Sequence, residues 1–90
     1  MNLREFRALE LAKLFEIEKK LLQKYGNDEK KAERVKTLVQ SLAAKIYNLR
    51  TFTLTDFLFT VHQYAAEFEE FSELIPSVKT IEELLKEDWG

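Results

Sequence analysis

The sequence contains no cysteine, only two glycines, one proline and one histidine. Without cysteine there is no disulfide framework, no thiolate nucleophile and no zinc–thiolate site. No apolar run approaches the roughly 18 residues that a membrane helix needs, and the start of the chain carries charges every few positions where a signal peptide would be apolar. We therefore expect a single cytoplasmic domain over residues 1–90, with no membrane association.

So few helix-breaking residues favour a small number of long helices. Gly26 ends a long periodic segment, where a helix-terminating residue in the left-handed region is expected, and Pro76 ends a later segment. The sequence predicts an all-α fold, an antiparallel bundle of three long helices and a short C-terminal helix. Their expected ranges are about 3–25, 29–49, 54–74 and 81–88.

The first predicted helix has Asn2 as its N-cap, with Glu5 three residues later to complete a capping box. It carries two adjacent apolar stripes that together cover about half of its circumference. One stripe contains Leu3, Phe6, Leu14, Ile17, Leu21 and Tyr25, and the other contains Ala8, Leu11, Phe15 and Leu22. One neighbour would not cover both stripes, so this helix should contact at least two others.

The second predicted helix begins at Asn27 or Asp28, and its short connection to the first helix favours an antiparallel hairpin. Its apolar residues form one stripe: Ala32, Val35, Leu38, Val39, Leu42, Ile46 and Leu49.

The segment TFTLT at residues 51–55 alternates like a β-strand, but nothing else in the chain offers a partner strand. A helix accounts for the same residues. Thr53 is the N-cap, Asp56 lies three residues later, and Phe52 and Phe57 are placed to form a hydrophobic staple. The buried stripe of this third helix is expected to contain Leu54, Phe57, Val61, Tyr64, Ala65, Phe68 and Phe71.

Thr80 and Glu83 form a further capping box before the short fourth helix. Eight residues do not make a stable helix alone in water, so this helix must pack on the others. Trp89 lies next to the chain end, where an aromatic side chain either anchors the terminus or contributes to an interface.

Charge is divided unequally along the chain. Residues 1–50 carry twelve Lys and Arg against seven Asp and Glu, a net +5, and residues 51–90 carry two against nine, a net −7. Such a division is typical of a basic face for an acidic partner, or of two halves that attract each other within one fold or across a homodimer. We favour the second interpretation because the basic residues are spread over two helices.

No phosphate-loop or dinucleotide-binding motif occurs. His62 falls on one face of the predicted third helix with Glu69 and Glu73, but a helical metal pair needs a ligand three or four residues away, and position 66 is alanine. We therefore expect a half-exposed histidine beside solvated acids. The sequence predicts no enzyme, no cofactor and no metal site.

Three surface features remain as interaction candidates. Glu67, Glu69 and Glu70 form either the solvated face of a helix or an acidic patch for a basic partner. Phe59 lies on the side of the third helix opposite its apolar stripe, where it would meet the fourth helix, a dimer mate or another protein.

The third feature is a basic turn between the first two helices, formed by Lys19, Lys20, Lys24, Lys30 and Lys31. It is either solvated or able to bind a phosphate backbone. The sequence favours a non-catalytic, self-associating module for protein–protein interaction or regulation. The alternative is a small nucleic-acid-associated regulator that uses the basic turn.

Overall fold

The computed structural model describes residues 1–48 and 50–86. Within these residues it has four α-helices, one 3₁₀ helix and no strand. Their ranges are α1 at Leu3–Tyr25, α2 at Glu29–Tyr47, α3 at Leu54–Glu67, the 3₁₀ helix at Glu69–Leu74 and α4 at Val78–Leu85. The predicted all-α class, with three long helices and a short C-terminal helix, is confirmed. No helix in this part of the chain is long and apolar enough to cross a membrane.

The first two helices begin at the predicted caps. The backbone N–H of Glu5 donates to Asn2 Oδ1 at 2.8 Å, and Asn2 Nδ2 donates to Glu5 Oε1 at 2.9 Å. At α2 the cap is Asp28, whose Oδ1 accepts from the N–H of Lys31 at 3.2 Å. Each cap satisfies a backbone donor that the first helical turn leaves without a partner.

The ambiguous segment near residue 53 is the start of a helix. Thr53 Oγ1 accepts a hydrogen bond from the N–H of Asp56 at 3.2 Å. The rings of Phe52 and Phe57 lie 5.6 Å apart, as the staple requires. The capping prediction is confirmed, and the apparent alternation comes from a cap with apolar residues on either side of it.

The predicted third helix is too long. The α-helix ends at Glu67, Phe68 is extended with φ −134° and ψ 108°, and the chain continues as a 3₁₀ helix. The reason lies in the spacing of Phe68, Phe71 and Leu74, all buried and three residues apart. Three residues per turn is the 3₁₀ period, so this geometry keeps these side chains on one face.

Three other boundaries also differ from expectation. The fourth helix begins at Val78, three residues before the predicted start, because its cap is Ser77 and not Thr80. The Oγ of Ser77 accepts a hydrogen bond from the N–H of Thr80 at 3.2 Å. Gly26 is right-handed, with φ −59°, so the expected left-handed residue was wrong. The second helix ends at Tyr47. Residues 49 and 88, the predicted ends of the second and fourth helices, lie outside the described residues.

The core forms around one face of α1. This helix contacts both α2 and the 3₁₀ helix, and the ring of Phe6 meets that of Phe57 in α3 at 6.0 Å. The expectation that the first helix touches at least two others is confirmed. Its second stripe is covered only in part, since Leu11 and Leu22 are half-buried whereas Ala8 and Phe15 are exposed.

Arg7 holds the end of α2 against α1. Its Nε donates to the carbonyl oxygen of Ile46 at 2.6 Å, and its Nη2 donates to the same oxygen. The guanidinium also lies 5.8 Å from the centre of the Phe52 ring. A cation here satisfies a last-turn carbonyl and lies at the negative end of the α2 dipole.

Removing the cap of α3 tests the helix assignment. We expect Thr53→Ala to lower the free energy of unfolding by about 1 kcal/mol, because the N–H of Asp56 loses its acceptor. Urea denaturation measures the change. Thr51→Ala, at an exposed position two residues earlier, is the matched control and should stay within about 0.5 kcal/mol of the wild type. Equal effects at both positions would argue against the cap.

Candidate functional site

The basic and acidic parts of the chain meet inside the fold. Within the described residues, five ion pairs join the first 50 positions to the remainder: Met1 amino group–Glu83 at 2.8 Å, Lys20–Glu73 at 3.3 Å, Lys24–Glu70 at 3.5 Å, Arg34–Glu67 at 2.8 Å and Lys45–Asp56 at 2.8 Å. The attraction between the oppositely charged halves is therefore intramolecular. The charge division alone gives no reason to invoke a partner.

These pairs occupy most of the predicted acidic patch. Glu67 receives two hydrogen bonds from Arg34, at 2.8 and 3.1 Å, and these bonds lower the pKa of its carboxyl group. Glu70 pairs with Lys24. Of these three acids, only Glu69 has no ion pair among residues 1–48 and 50–86. The three acids therefore do not form one free patch.

The predicted basic turn is also partly neutralised. Lys20 and Lys24 are paired with acids of the 3₁₀ helix, and the negative charge of the Glu70 carboxylate raises the pKa of Lys24. Tyr25 has its ring against Phe68 at 5.8 Å, with the amino group of Lys31 4.8 Å from its centre. Lys19 and Lys30 are exposed and make no ion pair within the described residues. The Tyr25 ring, the aromatic group of this turn, therefore already packs against other side chains of the fold.

The shared face of His62, Glu69 and Glu73 does not exist, because α3 ends before the two acids. His62 is exposed, and Glu73 pairs with Lys20. In the part of the chain that the structure describes, no group of three or more His, Cys, Asp and Glu side chains is arranged to hold a metal ion.

Phe59 points away from the core. Its side chain is 64% exposed, so α4 does not bury it. Three other exposed residues accompany it along the outer face of α3, namely Thr55, His62 and Ala66. Phe15 on α1 is the other strongly exposed phenylalanine, at 47%. Trp89, the remaining aromatic candidate, lies outside the described residues.

The residue that sequence reasoning missed is Glu10. It is 1% exposed and lies between Phe6 and Leu14 on the buried face of α1. Its Oε1 is 3.9 Å from the amino group of Lys13, and its Oε2 has no hydrogen-bond partner in the part of the chain that the structure describes. The sequence held a signal, because Glu10 stands four residues from both Phe6 and Leu14 and so shares their face.

Glu10 borders a cavity of about 240 Å³. The cavity lies between the first half of α1 and the segment that joins the 3₁₀ helix to α4. Its walls include the apolar side chains of Phe6, Leu9, Ile75 and Pro76. Lys13, Ser77 and Thr80 also line it, so the cavity combines apolar walls and polar side chains with one buried carboxyl group.

Burial raises the pKa of Glu10 from 4.5 to about 7, and the nearby Lys13 ammonium opposes this shift. Desolvation disfavours the charged carboxylate, and a cation favours it. The group consequently changes charge near neutral pH, unlike an ordinary surface carboxyl.

No protein-family model, curated protein or solved structure matches the chain. Two features of the fold therefore remain as indications of function: the exposed aromatic surface of α3 and the Glu10 cavity. The internal ion pairs account for most of the other charged candidates.

Glu10→Gln should change how stability depends on pH. Between pH 4.5 and 7 the folded wild type keeps a proton that the unfolded chain has lost, so its free energy of unfolding falls as pH rises. A neutral glutamine avoids this loss. By pH 8 we expect the variant to be more stable than the wild type by up to about 3 kcal/mol, measured by urea denaturation at pH 5 and pH 8.

Glu16→Gln removes an exposed acid of the same helix and is the control; its difference from the wild type should stay the same at both pH values. A constant difference for Glu10→Gln as well would contradict the assignment of a raised pKa to Glu10.

The ion pairs can be tested by charge reversal at neighbouring acids. Glu67→Lys places a cation against Arg34 and should lower the melting temperature, with a larger loss at 20 mM than at 500 mM salt because salt screens exposed charges. Glu69→Lys, two residues away and without an ion pair in the described structure, should have a smaller effect. If the two variants melt alike at low salt, the Arg34–Glu67 pair contributes nothing measurable.

Proposed function

We propose that the chain is a small cytoplasmic helical module for protein–protein interaction or regulation, that it has no catalytic activity, and that it self-associates. The observation that carries this proposal is Phe59, a large apolar side chain held 64% exposed on a well-formed helix. The lack of cysteine in so short a chain is consistent with a reducing compartment, because small secreted domains are usually rich in disulfides.

The surroundings of Phe59 suit contact with another helix. Thr55 and Ala66 flank it on the exposed face of α3, and small side chains allow a second helix to approach closely. Burying a phenylalanine side chain is worth roughly 1.5–3 kcal/mol. In a two-fold symmetric dimer the same residue contributes from both copies, so its effect is doubled.

A second copy is favoured over a charged partner for an electrostatic reason. Glu67 and Glu70 are already paired within the fold, so a basic partner would have to displace Arg34 and Lys24. The exposed residues at positions 55, 59, 62 and 66 include no Lys, Arg, Asp or Glu. Asp56, an exposed neighbour three residues before Phe59, is paired with Lys45 at 2.8 Å, so its charge is already offset where this surface meets an identical one.

The alternative, a nucleic-acid-associated regulator, draws only on the lysines of the basic turn. Its electrostatic contribution to binding is largest at low salt. A mobility-shift assay at 20 mM salt with double-stranded DNA and with single-stranded RNA is the relevant measurement. Binding that disappears in a Lys19→Gln, Lys30→Gln variant would favour this function over self-association alone.

Sedimentation equilibrium tests the proposed dimer. We expect wild-type protein to dimerise and Phe59→Asp to raise the dimer dissociation constant by at least about tenfold, because the interface loses an apolar anchor and gains two desolvated charges. Phe15→Asp makes the same change at an exposed phenylalanine of α1 and should leave the dimer intact. Dissociation by Phe15→Asp alone would move the interface to α1. A wild type that stays monomeric at millimolar concentration would exclude self-association.

A further inference from the structure

Among the described residues, nothing meets the hydrogen-bonding requirement of Glu10. Buried side-chain oxygens nearly always have a partner, yet Oε2 of Glu10 has none in residues 1–48 and 50–86. The nearest cation, Lys13, is 3.9 Å from the other oxygen, beyond hydrogen-bonding distance, and its own side chain is 47% exposed. A buried acceptor left in this way costs stability, so its presence in a folded protein calls for an explanation.

The space beside Glu10 is large enough for more than water. A volume of about 240 Å³ is several times the roughly 30 Å³ that one water molecule occupies in the liquid. It lies just below the roughly 300 Å³ at which drug-sized pockets begin. With Phe6, Leu9, Ile75 and Pro76 in its walls, the cavity suits one small ligand with an apolar body.

We propose that this cavity binds a primary ammonium group carried on a short apolar stem, with the carboxylate of Glu10 as its acceptor. An ionised carboxylate only accepts hydrogen bonds, and an ammonium group only donates them. The positive charge also offsets the cost of keeping the carboxylate away from water. Free alkylamines and lysine side chains of other proteins share this head group.

Among the described residues, Glu10 is the only carboxylic acid that lines the cavity. Lys13 and Met1 are the other described lining residues that carry a charge. The amino group of Met1 pairs with Glu83 of α4 at 2.8 Å, and this contact lowers the pKa of the Glu83 carboxyl group. Ser77 and Thr80, also in the lining, are neutral and hydrogen-bond to each other at 3.0 Å.

Amine binding must depend on pH in a defined direction. The ammonium group pairs with ionised Glu10, whose pKa is about 7 in the free protein. The ionised fraction rises about tenfold between pH 6 and pH 8, so the affinity should rise by about the same factor. Binding below pH 7 should also release a proton to the buffer.

Isothermal titration calorimetry with n-pentylamine, at pH 6 and pH 8, is the first experiment. We expect binding about tenfold tighter at pH 8, and weaker, pH-independent binding of n-pentanol, which has the same stem without the charge. Glu10→Gln should weaken amine binding by at least about tenfold at pH 8 and abolish its pH dependence. Glu16→Gln, on the exposed side of α1, should bind as the wild type does.

A second measurement uses the wild type alone. Titration of the Glu10 carboxyl carbon by NMR should show its pKa falling when n-pentylamine is added. An unchanged pKa, equal affinity for pentylamine and pentanol, or undiminished amine binding by Glu10→Gln would each overturn the proposal. So would loss of amine binding in Lys13→Met, because removing the nearest competing cation should strengthen binding or leave it unchanged.

Binding of Nα-acetyl-lysine N-methylamide distinguishes the two sources of the ammonium group, a free alkylamine and a lysine side chain of another protein. Glu10-dependent binding of this compound as tightly as pentylamine would indicate that the cavity accepts a lysine side chain of a polypeptide. Glu10-dependent binding of pentylamine alone would indicate a free amine. Both results support the ammonium site, and neither depends on whether the protein dimerises through Phe59.

Discussion

A single face of α1 must be covered by several elements at once, and the rest of the structure follows from this requirement. Leu14, Ile17 and Leu21 are completely buried on that face, each worth roughly 1.5–3 kcal/mol in burial. Because α1 contacts α2 on one side and the 3₁₀ helix on another, the chain must return along α1 after α3. The two halves of the sequence are thereby brought into contact over most of the length of this helix.

The same requirement explains the break at Phe68. In a continuous α-helix to residue 74, steps of about 100° per residue would spread Phe68, Phe71 and Leu74 over about 120° of the circumference, whereas the 3₁₀ period of three residues per turn keeps such positions in line. Changing to a 3₁₀ helix keeps them buried and places the following acids beside α1, where Glu70 reaches Lys24 and Glu73 reaches Lys20. Core packing and surface charge thus favour the same local geometry.

Local signals predicted much of the fold. Each helix cap binds a backbone group only three residues away, so its role can be predicted from the local sequence alone. This holds for Asn2, Asp28 and Thr53. The break at Phe68 was missed because a helical projection assumes one constant period. Glu10 was missed for a different reason: the stripe was drawn from apolar residues only, so an acid four residues from Phe6 was not considered as part of it. Burial of that carboxyl depends on α4 and its preceding segment, which no local pattern encodes.

The ion pairs between the two halves of the chain have a consequence for the assembly of separate fragments. The connection between α2 and α3 divides the chain near residue 50 into a fragment of net +5 and one of net −7. Opposite net charges attract over about a Debye length, roughly 10 Å at 0.1 M salt, and speed diffusional encounter. Two separately produced fragments would therefore find each other quickly at low ionic strength and complete the α1 core on docking. This small bundle is in that respect a natural candidate for a split-protein reporter whose reassembly is tuned by salt.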